Sequence, residues 1–132
     1  MANEMWAVAV MLPEVPVTVV TTSTVTLGGT YNSGIAFNEN ATAAQSVVAT
    51  LPTPAAGKVF CIKNFYNGSA ANTGTLELIV ANTGTQSIIY NGAVMTGGYI
   101  VSTGASGDYG CVTGVDATHW DFTPSIGTWP PH

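Results

Sequence analysis

The chain has 132 residues, a net charge of −5 and charged side chains at 7% of positions, against roughly 25% in an average soluble protein. That length suits one domain, or one domain with an arm, and is enough to bury a core without a metal. The two basic residues, Lys58 and Lys63, cannot assemble the patch that nucleic acid or an anionic membrane requires, so neither is expected as a partner. Thr, Ser and Asn supply most of the polarity. So little charge repulsion suits a subunit whose surface is covered by neighbours.

The N-terminal run MANEMWAVAVMLP sets Trp6, Val8, Val10 and Leu12 against Ala7, Ala9 and Met11, a period of two that reads as a strand. It is too short to span a membrane and lacks the basic start of a signal peptide. Synthesis without the usual secretion route is therefore expected. Pro13 and Pro16 separate the run from the strand-like residues after it. The segment is either an arm, residues 1–16, or the first core strand of the domain. As an arm, Trp6 would be its anchor on another chain.

Residues 17–27, VTVVTTSTVTL, are the longest strand signal. Val17, Val19, Val25 and Leu27 share one face, and Thr18, Thr22, Thr24 and Thr26 fill the other. Residues 30–45 read as loop, with a short strand around Ile35 and Phe37. Strand signals recur at 46–51, 58–66, 76–80, 86–90 and 99–102. Asn67-Gly68 and Asn91-Gly92 mark tight turns. The pentapeptide ANTGT occurs at 71–75 and 81–85, each copy preceding a strand. Two copies are too few for a solenoid and read as a meander. The tripeptides at Asn40 and Asn67 match the glycosylation pattern but are discounted without a secretion signal. The best helical stretch, 41–49, has poor apolar spacing.

Residues 106–129 close the chain. Tyr109, Cys111, Thr113 and Val115 alternate with Gly110, Val112 and Gly114. Asp116-Ala117-Thr118 is a turn, because Asp bonds its own backbone there. Trp120 and Phe122 share a face of the next strand, with His119 and Asp121 on the other. Seven to nine short strands without a helix indicate an all-β fold, an antiparallel β-sandwich or jelly roll. The domain is expected to be single, over residues 17–132.

Reactive groups are few. Asp108, Asp116 and Asp121 sit near one another in sequence, but two fall in turns and Asp121 faces away from Trp120. His119 beside Asp116 has the makings of a base and its orienter, yet it needs a nucleophile. Cys61 and Cys111 read first as two small buried hydrophobes, and a disulfide between them is the minority reading, since a chain of this length is not a disulfide scaffold. No phosphate loop, zinc spacing or nucleophile elbow is present. No catalytic, cofactor-binding or metal-binding residue is assigned, no cofactor is expected, and the chain does not read as an enzyme.

The segments LPTPAAGKVFCIKNFYNG (51–68) and GDYGCVTGVDATHW (107–120), with GTW (127–129) after them, resemble a β-sandwich module of tailed-bacteriophage structural proteins. It is similar to those of tail fibres and of small capsid decoration, or cement, proteins. The resemblance covers about residues 46–129 and leaves the N-terminal extension unexplained. It implies a virion component, often trimeric, on the outer capsid surface. The protein would be made in the host cytoplasm and would have the major capsid protein as its partner. Trp6, Val8, Val10, Met11 and Leu12 are then the expected interface residues. The alternative that the resemblance implies is a trimeric tail-fibre module, with Tyr90, Tyr99 and Tyr109 stacking on host glycans.

Overall fold

The structure, a computed structural model, describes residues 15–39, 46–65, 74–95, 97–105 and 107–130. Trp6, Val8, Val10, Met11 and Leu12 lie outside these residues, as do the Asn40 tripeptide and the Asn67-Gly68 turn. Among the described residues there is no helix. The strands are β1 (Val17–Val20), β2 (Thr24–Thr26), β3 (Ser33–Asn38), β4 (Val47–Leu51), β5 (Val59–Asn64) and β6 (Leu76–Val80). They continue with β7 (Ser87–Tyr90), β8 (Ala93–Val94), β9 (Tyr99–Val101), β10 (Tyr109–Gly114) and β11 (His119–Ile126).

These strands form two mixed sheets. One has the order β1-β3-β5-β10-β11-β7-β8 and the other β2-β4-β6-β9. The sheets are therefore not antiparallel throughout, which corrects the expectation. From β1 to β6 the chain alternates between the sheets, so each strand joins the one two places earlier, and joins it in parallel. A strand that must cross to the other sheet before returning cannot make a hairpin, and the crossing delivers it in the same direction. The meander is corrected for the same reason. The strands after the two ANTGT copies, β6 and β7, lie in different sheets. Antiparallel pairing is confined to β5–β10, β10–β11, β7–β8 and β6–β9.

The long strand expected over 17–27 is also two strands. The chain turns at Thr21–Ser23, where the Thr22 hydroxyl donates to the Thr24 carbonyl and the Ser23 carbonyl accepts from the Val48 N–H. This moves β2 into the second sheet. Leu27 is buried, whereas Val17 and Val19 are 58% and 53% exposed. The four apolar residues therefore do not share a face.

Residues of both sheets make up one hydrophobic cluster. Period-two alternation sends Val47, Ala49 and Leu51 of β4 and Leu76, Leu78 and Val80 of β6 into it, facing Phe60, Ile62, Val112, Trp120 and Phe122 of the larger sheet. The Trp120 ring meets Phe60 edge to face at 5.9 Å. Phe122 meets Trp129 at 4.9 Å and Tyr90 at 5.5 Å. Gly110 makes room for this group, since a Cβ there would lie 2.7 Å from the Phe122 ring. The Asn91-Gly92 turn joins β7 to β8 with φ of 51° and 78°, the left-handed pair that a two-residue hairpin needs. Pro124 sits within β11, but β7 pairs β11 only at residues 119–121. Its missing N–H therefore leaves no ladder position unfilled on that side.

Candidate functional site

The titratable groups at the β10–β11 turn are occupied with one another. Asp116 accepts hydrogen bonds from the Thr118 N–H at 2.7 Å, the Thr118 hydroxyl at 2.9 Å and the His119 N–H at 2.9 Å. The His119 ring nitrogen Nδ1 lies 2.8 Å from its second oxygen. The Thr118 N–H first, then the His119 ring and the Thr118 hydroxyl, hold the Asp116 carboxyl well below the usual carboxylate range. A depressed carboxylate supports the turn at all pH above its unfolded value, and that support is lost only as pH falls through the folded one. This is the geometry of a turn that closes on its own side chain. The hydroxyl beside the pair is that of Thr118, 2.9 Å from the His119 Nδ1 and itself donating to Asp116, while the Cys111 sulfur is bonded to Cys61. Asp121 is exposed on the face opposite Trp120. Among the described residues no three His, Cys, Asp or Glu side chains are grouped to hold a metal.

The disulfide is a correction to the sequence reading. Cys61 and Cys111 are cross-strand partners of β5 and β10, with Cα atoms 4.0 Å apart. The bond joins β5, the last strand of the parallel run β1-β3-β5, to β10, which runs antiparallel to it. Cys111 also lies 3.2 Å from the Tyr109 hydroxyl.

A buried polar group closes the ends of β3 and β5. Asn38 and Asn64 are register partners and 0% and 1% exposed. The Asn38 amide donates to the Asn64 side-chain oxygen at 3.0 Å. The Asn64 amide in turn donates to the carbonyls of Gly74 at 2.8 Å and Ala105 at 3.0 Å. Asp108, also buried, accepts from the Ala105 N–H with its carboxylate and from the Asn64 N–H with its carbonyl. These bonds tie loops to strand ends, which is a structural task. Asn64→Leu should cost roughly 2–4 kcal/mol by urea denaturation, because each stranded buried polar group costs about 1–3. A loss below about 0.5 kcal/mol would show that water replaces the amide.

The remaining candidates are on the surface. A cleft of about 180 Å³ opens between β1 and β2, reaching Leu27 and Phe60 past Pro16, Thr18 and Tyr31. That volume is below the roughly 300 Å³ at which ligand pockets begin. The outer face of the larger sheet is more distinctive. Cross-strand register aligns Val17, Ile35, Cys61 and Cys111 in one row, and Val19, Phe37, Lys63 and Tyr109 in the next. Ile126 continues the second row. Phe65 packs on Phe37 edge to face at 5.4 Å, and the Lys63 ammonium lies over the Tyr109 ring at 5.8 Å. Val15, Val17, Val19 and Ile126 are each more than half exposed. An apolar surface of this kind, extending over adjacent strands, marks an interaction site when it exceeds a few hundred Å².

Sequence reasoning missed this face because it placed Val17 and Val19 in the core. Only the turn at Thr21–Ser23 exposes them, and no Gly or Pro announces that turn. Of the three tyrosines named for sugar stacking, Tyr90 lies against Phe122 and Tyr109 beneath Lys63. The chain matches no protein-family model and no curated protein.

Proposed function

We propose that the protein is a virion structural subunit of the capsid-decoration type, with no catalytic activity, whose two sheets form a β-sandwich that binds the outer capsid surface. The observation that carries this reading is the exposed apolar face of the larger sheet, in a chain with 7% charged residues. Such a surface works by excluding water against neighbours, and many small contacts add over a shell. The disulfide supports it, since disulfides persist on virion surfaces and not in the reducing cytosol. The Pro16 carbonyl accepts the Ile35 N–H at 2.9 Å, so the chain is held by the sheet from Pro16 onward. Residues 1–16 are read as an arm that Pro16 fastens to the sheet, and the subunit as one member of a homo-oligomer, a trimer by the resemblance.

The test is co-sedimentation of purified protein with intact expanded capsids, then electron microscopy of the decorated particle. Density on the outer shell is expected. Affinity for host cells or glycans, with none for capsids, would replace this reading with the tail-fibre one. Deleting residues 1–16 should leave circular dichroism and cooperative unfolding intact while weakening capsid binding or self-assembly. A truncated chain that does not fold would instead make the segment part of the core.

A further inference from the structure

We infer that the apolar outer face of the seven-stranded sheet is covered by the N-terminal segment, residues 4–14, of a second copy of this chain. The inference rests on the reading of the protein as an assembly subunit, and it names the partner of that face. Three observations choose the occupant.

The first is where the outlying chain attaches. The 14 residues before Val15 join the structure at the start of β1, the edge strand that carries Val15, Val17 and Val19 along the rim of the face. The second is chemical fit. Trp6, Val8, Val10 and Leu12 repeat at a period of two, between Glu4 and Glu14. The face offers Val17, Val19, Ile35, Phe37, Tyr109 and Ile126, with Lys63 as its cation. A bulky apolar row with acidic ends therefore meets an apolar surface with a basic centre, and Trp6 is the large side chain that dominates such contacts.

The third is direction. Leu12 precedes Pro13 and Val15 precedes Pro16, and the residue before a proline is driven to extended backbone. Leu12 and Val15 are thus biased to the extended backbone that a segment running on from β1 to a neighbour needs. Fourteen extended residues reach about 45 Å. A domain of this size is roughly 35 Å across, taking a radius of gyration near 13–14 Å. The segment is long enough to lie on a neighbour, and reciprocal exchange closes the assembly.

The experiment uses the full chain and two variants, with mass measured by light scattering and sedimentation velocity. Trp6→Asp spoils the segment and keeps the face. The double change Val17→Asp and Val19→Asp spoils the face and keeps the segment, at positions more than half exposed. The native chain should be an oligomer and each variant a monomer. Mixing the two variants should raise the mass again, because one intact segment then meets one intact face. A native chain that is monomeric, or oligomers that survive both changes, would overturn the inference. Two monomeric variants that do not complement each other would also overturn it, in favour of docking on the same chain. If the double variant unfolds, Trp6→Asp, which leaves residues 17–132 unchanged, still decides whether the segment holds the assembly. Capsid binding is scored separately. Its absence from every form would sink the decoration reading and leave this one standing.

Discussion

Replacing both Cys61 and Cys111 by Ala lowers the unfolding free energy by about 4 kcal/mol, from the chain-entropy cost of a cross-linked loop of this length. The two cysteines are 50 residues apart, and the loop they close holds β6, β7, β8 and β9. In the unfolded chain the bond confines that whole stretch, and the confinement is lost in the variant. Small domains have only about 5–15 kcal/mol of stability in total, so the midpoint of thermal unfolding should fall by on the order of 10 °C. Denaturant unfolding of the native protein, with and without a reductant, should reproduce the difference. A loss below about 1 kcal/mol in both experiments would mean that the unfolded chain is already held in this arrangement by other contacts.

Trp120→Ala should cost roughly 3–5 kcal/mol, as truncation of a large buried aromatic does. Its side chain is fully buried and braces Phe60 edge to face, and its strand is flanked by β10 and β7 inside the larger sheet. Its indole N–H has no hydrogen-bond partner in the structure. Trp120→Phe keeps an aromatic ring against Phe60 and removes a buried donor without an acceptor, so it should cost much less than Ala. Equal losses for Phe and Ala would show that a partner for the N–H, such as a buried water, matters more than the ring. A loss under about 1 kcal/mol for Ala would contradict the burial itself.

Much of the fold was legible in the residues, and the reasons are specific. Alternation placed Trp120 and Phe122 on the buried side of their strand and Asp121 on the open side. The Asn91-Gly92 turn and the Asp116 turn were legible because each depends on one side chain or one dihedral preference. Pairing partners were not. Periodicity tells which residues share a face, but nothing in it says that β3 lies beside β1 and not beside β2. The parallel winding therefore stayed hidden, and with it the register that sets Cys61 opposite Cys111. Nothing in the local pattern sets Asn38 and Asn64 apart from other asparagines at strand ends. Their burial depends on loops that arrive from residues 74 and 105. The candidate face was hidden by one turn inside a run of β-branched residues.

The parallel winding also sets an order of assembly. Among the described strands, β7–β8 and β10–β11 are the pairs joined by short turns, and hairpins form in about 1–10 μs. The strands from β1 to β6 have no neighbour in sequence to pair with, and contacts between distant segments are slow to form. The β10–β11 hairpin is thus the natural template onto which β5, then β3, then β1 are added. It is also a late part of the chain to leave the ribosome. Until it does, the N-terminal strands wait as unpaired edges in a chain with little charge to keep copies apart. For this protein the hazardous interval is the time between the synthesis of β1 and that of β11, and expression at lower temperature or with chaperones acts on that interval.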